Sequence, residues 1–231
     1  MSKANSTIYW SVIDSFVGNS TAAELTFHRP CPICESLRAR NIIELNSFQF
    51  FSDSTNFPKR VDIRQCMCIE CQAVYMNPCY SSYGFDVLFA EAGHSYGASQ
   101  GRPLEQIEWL EHRGLIKSGS RLLDVGCYDG SFLSRLPGHV HKVGVDIDAP
   151  AIKRGAKMYA EQDIEFILGD FETFESSGVS PDTITMFMVL EHLPRPVKVL
   201  KKLRDISSST TRMVVEVPIL ERGKTNDQRF S

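Results

Sequence analysis

The 231-residue sequence has no apolar run near the roughly 18–20 residues that a membrane-spanning helix requires. Its opening stretch carries Asp14 inside the only apolar segment and lacks a secretory core of about 7–15 apolar residues. An excess of basic charge is also missing. Lys and Arg total 25 against 28 Asp and Glu, a net charge of −3, and the first 80 residues hold seven of each sign. Neither nucleic acid nor an anionic membrane is therefore an expected partner. Fifteen Gly and eleven Pro are too few for a fibrous or low-complexity chain, and 10% aromatic residues exclude wholesale disorder. No repeat of fixed period is present. These absences leave a cytoplasmic globular chain, with one large domain or a core domain plus a small module.

What the sequence does have is cysteine in one place. Six of seven cysteines (Cys31, Cys34, Cys66, Cys68, Cys71 and Cys79) lie between residues 31 and 79, and only Cys127 lies beyond. In a reducing compartment such clustering favours metal ligation or free thiols over disulfides. Cys31-Pro-Ile-Cys34 and Cys68-Ile-Glu-Cys71 are two C-x2-C turns, and each points two thiolates at one spot. Together they predict a closed, structural four-thiolate Zn²⁺ site. Two readings compete with it. One is a reduced, metal-free cluster of buried thiols; the other is a redox-active C-x-x-C, which lacks the βαβ context it needs. Segments FQFF, VDIRQC and AVYM are candidate ribbon strands. Cys66, close to Cys68 on a strand, is expected to point away from the site, and Cys79 is surplus. The Phe-rich stretch Phe48–Phe57 is expected to pack around this ribbon. So small a module has little apolar core, and metal binding would supply its folding free energy.

Beyond residue 102 apolar runs alternate with helical patterns. A helix is expected from Pro103 to Lys117, then a strand at 121–126 followed by a glycine turn and a second helix marked by Phe132, Leu133 and Leu136. Further strands are predicted at 142–146, 164–168, 183–188 and 212–217. Helices are predicted at 149–159 and around Val197, Leu200 and Leu203. This alternation implies βαβ units, hence a doubly wound parallel sheet in an α/β fold.

Ligands of such sheets bind beyond the carboxyl ends of the strands. Asp124, Gly126 and Gly130 follow the first strand, Asp146 and Asp148 the second, Gly169 and Asp170 the third, and Glu191 and His192 the fourth. An acidic residue 22 positions after Asp124 stands where a ribose diol would be held. The turn lacks the G-x-G-x-x-G of a dinucleotide site. Its Asp-x-Gly-Cys-Tyr-Asp-Gly carboxylates would repel a pyrophosphate and favour a ligand with a cationic end, such as the ammonium and sulfonium of S-adenosylmethionine.

The segments LLDVGCYDGSFL, VGVDID, FILGDFETF and TMFMVLEHLPRP resemble the successive motifs of class I S-adenosylmethionine-dependent methyltransferases, over roughly residues 103–220. The resemblance implies a Rossmann-like sheet. It also implies that Asp124, Gly126, Cys127, Tyr128 and Gly130 approach the methionine moiety, that Asp146 accepts the ribose hydroxyls, and that Asp170 and Phe171 flank the adenine. Ile147 and Val189 complete the implied cofactor contacts. Tyr128 departs from the glycine common at that position, and its side chain is expected to narrow the site. His192, where an acceptor would approach, is the candidate general base. Asp148 reads as a helix N-terminal acid, and Cys127 as a small turn residue with no base to activate it.

C-x2-C, a ribbon and C-x2-C followed by Ala-Val-Tyr-Met-Asn-Pro, ahead of such a domain, resemble bacterial zinc-ribbon methyltransferases of sugar or surface-glycan modification. The expected organisation is an N-terminal segment (1–28), the zinc-ribbon-like module (29–80), a linker (81–102) and the S-adenosylmethionine-binding domain (103–231). The expected activity is methyl transfer to a small molecule such as a sugar nucleotide. A non-catalytic interaction module and an RNA methyltransferase are the alternatives. The family's sheet has seven strands, and residues 218–231 leave no room for strands six and seven. A fragment, or a sheet ending at an exposed fifth strand open to self-association, is therefore expected.

Overall fold

The structure, a computed structural model, describes residues 8–9, 25–49, 60–81, 84, 102–171 and 180–218. The cysteine-bearing part is antiparallel. β1 (Ile8–Tyr9), β3 (Arg38–Gln49), β4 (Arg60–Cys68) and β5 (Val74–Met76) form a four-stranded sheet in the order β1-β3-β4-β5. β2 (Thr26–Phe27) pairs with β6 (Cys79–Tyr80). Buried Asn77 ties the segments together: its Oδ1 accepts from the Arg29 amide at 3.1 Å, and its Nδ2 donates to the Arg29 carbonyl at 3.1 Å. Most of the Phe-rich stretch, and most of the linker, lie outside the described residues.

The second part is a parallel sheet of β7 (Arg121–Val125), β8 (His141–Asp146), β9 (Ile164–Leu168), β10 (Thr183–Phe187) and β11 (Arg212–Glu216), in the order β11-β10-β7-β8-β9. Successive side chains of a strand point to opposite faces, and both faces here are apolar. Leu123, Val125, Val143, Val145, Ile184 and Met186 pack with Val199 and Leu203 of α3 (Pro196–Asp205). Leu122 packs with Ile107 and Leu110 of α1 (Arg102–His112) and Ile152 of α2 (Ala149–Met158). Helices therefore cover both faces, the doubly wound α/β arrangement implied by the sequence.

Three expectations are corrected. The segment after the glycine turn is a single 3-10 turn, Leu133–Arg135, because Pro137 and Gly138 leave no length for a helix. α1 ends at His112, where Gly114 at φ +65° turns the chain. In α3 the buried stripe is Pro196, Val199 and Leu203 rather than Val197 and Leu200. The question of strands six and seven falls on residues beyond 218, outside the described residues. Among the described residues no helix is long and apolar enough to cross a membrane.

Candidate active site

The strand order reverses between β7 and β10, and a crevice opens at the carboxyl ends beside such a switch point. The site is built there. β7 ends at Val125, and Gly126 turns the chain at φ +82°, with its amide and that of Cys127 donating to the Val145 carbonyl of β8 at 2.8 and 3.2 Å. A Cβ on Gly126 would lie 2.2 Å from Val189 Cγ2, so the turn after β7 and the turn after β10 touch through that glycine. Gly130, at φ +77°, has no room for a Cβ against the Phe166 ring.

Asp146, at the end of β8, is 7% exposed. Its Oδ2 accepts from the Tyr128 amide at 2.7 Å and its Oδ1 from the Asp148 amide at 2.9 Å. Burial pushes its carboxyl up, against the backbone donors that favour the carboxylate. Asp124 is 4% exposed and sits opposite Thr185 in the β7–β10 register. Thr185 Oγ1 donates to Asp124 Oδ1 at 2.7 Å. Burial first, and the nearby Asp146 charge, raise Asp124 to about 7 against the Thr185 hydrogen bond. Two buried carboxyl groups thus flank one glycine turn, each pushed toward its neutral form by burial and ready to ionise beside a cationic ligand.

The other expected residues are distributed around this pair. Cys127 is buried beneath the turn, where a Cβ on Gly144 would strike its Sγ at 2.7 Å. Burial and the surrounding carboxylates push its thiol up, which suits packing and not nucleophilic attack. Asp148 caps α2, accepting from the Ala151 amide at 2.9 Å as expected. Ile147 and Val189 are partly buried against the core, Phe171 is packed within it, and Asp170 is exposed beside it. His192 follows β10 with a side chain 54% exposed and its Nε2 3.7 Å from Glu191 Oε1. Glu216, ending β11, pairs with Arg102 at 3.1 Å and accepts from Gln106 Nε2 at 2.8 Å, which fixes α1 beside this edge.

Sequence reasoning missed Thr185, Arg154, Glu216 and Arg29. Thr185 had a signal, a hydroxyl at the centre of a strand whose neighbours Ile184 and Met186 are apolar. Arg29 bonds Met76 O at 3.5 Å through Nη2 and the Pro194 carbonyl through Nη1, so it joins the ribbon to the loop bearing His192. A depression of about 410 Å³ lies at the opposite, amino-terminal edge of the sheet, bordered by Ser120, Thr183 and Arg212, away from both carboxylates.

The cysteine centre is equally defined. The Sγ atoms of Cys31, Cys34, Cys68 and Cys71 all lie within 4.8 Å of one another, with Cys31–Cys71 and Cys34–Cys68 both at 3.5 Å. A tetrahedral site with Zn–S near 2.3 Å has sulfur–sulfur edges of about 3.8 Å. The two knuckles are built alike. Glu35 (φ 60°) and Gln72 (φ 61°) donate to the Cys31 and Cys68 carbonyls, while the Cys31 and Cys68 amides donate to Ser36 and Ala73. The Ser36 amide favours the Cys34 thiolate, but burial and the three neighbouring thiols push it up to about 12. Cys68 is disfavoured as thiolate by burial, yet the Cys71 and Glu70 amides and adjacent thiols bring it down to about 7. Cys66 stands outside the four, donating to Asn41 Oδ1 at 3.3 Å. It does not point away from the site as expected: positions two apart on a strand share a face, and Cys66 is buried in the same cluster as Cys68. Its distance along the strand, not its direction, excludes it.

Residues 100–230 match the family described as "Methyltransferase domain". An uncharacterized methyltransferase of Mycobacterium tuberculosis is 32% identical over 83 residues, 36% of this chain and 42% of that protein. The ubiquinone biosynthesis O-methyltransferase of Aeromonas salmonicida is 26% identical over 111 residues, 44% of this chain and 47% of that protein. The chain thus spans less than half the length of these curated relatives. Among solved structures, the PH0226 protein of Pyrococcus horikoshii aligns with a TM-score of 0.47 at 24% identity, over 55% of this chain and 58% of that one. With the family match covering more than half of its residues, and with the parallel sheet and glycine turn in the order described, this chain belongs to the methyltransferase domain family.

Proposed function

We propose that this chain binds S-adenosylmethionine at the carboxyl-terminal edge of its parallel sheet and transfers methyl to a small-molecule acceptor of the sugar-nucleotide or glycan-precursor class. The observation that carries the reading is the pair of buried carboxylates around the Gly126 turn. Each oxygen of Asp146 already accepts one backbone amide and keeps a further lone pair for a ribose hydroxyl. Asp124, kept toward its neutral form by burial, would ionise beside an arriving ammonium, and the bare Gly126 lets a ligand approach the backbone. This donor set fits the cofactor's cationic methionine end and its neutral diol.

When bound, S-adenosylmethionine supplies a sulfonium-activated methyl group. The protein's own part is positioning and exclusion of water. Asp146 orients the ribose, with Ile147, Asp170 and Phe171 beside the base. Cys127, Tyr128, Gly130 and Val189 shape the turn around the methionine moiety. His192 takes the acceptor's proton on its imidazole, whose Nε2 stands 3.7 Å from Glu191 Oε1. In the ribbon, Cys31, Cys34, Cys68 and Cys71 hold one structural zinc; a closed four-thiolate set leaves no open position for chemistry. The acceptor class is supported by the coupling of this ribbon to a methyltransferase domain.

Turnover of a labelled methyl donor against a panel of sugar nucleotides and RNA tests the reading, alongside calorimetry with S-adenosylhomocysteine. Methylation of a sugar nucleotide is expected. Binding without turnover on any acceptor would favour an interaction module, methylation of RNA would reassign the substrate, and absence of binding would remove the cofactor site.

A further inference from the structure

We propose that Arg154 and Tyr128 form a positioning clasp that fixes the Asp146 carboxylate for the ribose hydroxyls of the bound cofactor. The inference rests on the S-adenosylmethionine reading above. Tyr128 holds φ +51°, a conformation that glycine adopts freely and an L side chain rarely does. A tyrosine there is not required by the turn, and it persists only if its surroundings over-determine it. They do so at both ends of the residue. Its backbone amide donates to Asp146 Oδ2 at 2.7 Å. Its phenol oxygen accepts from Arg154 Nη2 at 3.0 Å, with the guanidinium carbon 5.3 Å from the ring centroid.

Arg154 belongs to α2, and the start of that helix grips the same carboxylate from its other side. The amide of Asp148, the N-cap of α2, donates to Asp146 Oδ1 at 2.9 Å. Asp146, Tyr128, Arg154, α2 and Asp148 therefore close a ring of contacts around one carboxylate. The neighbouring Gly155 permits the helix to come this close, since a Cβ there would lie 2.2 Å from the Asp129 carbonyl oxygen. Neither Arg154 nor the phenol has to touch the ligand. Their effect is to hold both carboxylate oxygens in one orientation, with the remaining lone pairs already aimed before the ribose arrives.

The test is calorimetry on the full chain with S-adenosylhomocysteine and its 2′-deoxy analogue. Arg154→Met and Tyr128→Phe are each expected to weaken S-adenosylhomocysteine by about tenfold, through lost pre-orientation of the Asp146 carboxylate. They should also narrow the preference for the ribo over the deoxy ligand. Arg154→Lys should restore part of that preference. In an Asp146→Asn background the same substitutions should have little further effect. Wild-type chain that fails to bind S-adenosylhomocysteine would overturn the cofactor reading itself. Wild type that binds, with variants that lose both ligands equally or neither, would overturn the clasp alone. Thermal midpoints of the variants separate loss of fold from loss of orientation.

Discussion

Asp124 and Asp146 are both buried carboxylates at strand ends, but their partners differ, and so do their expected effects. Asp146 is tied to backbone amides on each oxygen, which keeps it an acceptor for a diol. Asp146→Ala should weaken S-adenosylhomocysteine by roughly 1.5–3 kcal/mol in calorimetry, as loss of hydrogen bonds to a charged acceptor does. Equal affinity in mutant and wild type would take Asp146 out of the site. Among the described residues Asp124 receives the Thr185 hydroxyl, and burial raises it from 3.8 to about 7. Its folded form therefore holds a proton that the unfolded form releases near pH 4. The stability it contributes is full below the unfolded value and is lost as pH rises through about 7. Across that window the slope approaches 1.4 kcal/mol per pH unit for one proton. Asp124→Asn keeps an acceptor for Thr185 and cannot ionise. Urea midpoints should show the variant gaining on ligand-free wild type between pH 5 and pH 7, and parallel curves would contradict this.

At the scale of elements, turns carry most of the site. Gly126→Ala would need φ +82° and would drive a methyl into Val189, so it should cost stability and abolish cofactor binding together. Thermal melting and calorimetry on one sample would show whether the two losses coincide. The cysteine knuckles make a separate prediction: about one zinc per chain, lost with Cys68→Ser or Cys34→Ser and retained with Cys66→Ser or Cys79→Ser. Metal analysis showing loss with Cys66→Ser would revise the ligand set. These elements were legible because each ends in a chemical mark. Asp124 and Asp146 close apolar runs, and C-x2-C closes a knuckle. The segment after Gly130 misled because Phe132, Leu133 and Leu136 have helical spacing without helical length. Arg154 was illegible for another reason. Its partner Tyr128 lies 26 positions earlier, and no local pattern links them.

For the whole molecule, β11 is one of the two edges of the parallel sheet among the described residues. Met213 and Val215 are exposed along it and Val217 just beyond its end, and alternate positions share one face. An apolar strand with an unpaired edge is a template for pairing, and the 231-residue chain is expected to self-associate. Light scattering should show larger species that a Met213→Lys, Val215→Lys double variant reduces; a monodisperse monomer in the wild type would contradict this.

Arg29 and Pro194 are bonded across 165 positions of sequence. Chains emerge from the ribosome at about 5–20 residues per second, and amino-terminal units fold first. The arginine is therefore made on the order of 10–30 s before the carbonyl it will meet. For part of that interval both knuckles, residues 31–36 and 68–73, are already made, while the strands of the parallel sheet, which begin at Arg121, are still to come. The order of synthesis gives the ribbon time to close its four cysteines alone, and docking to the His192 loop is left as a late event of the chain's assembly.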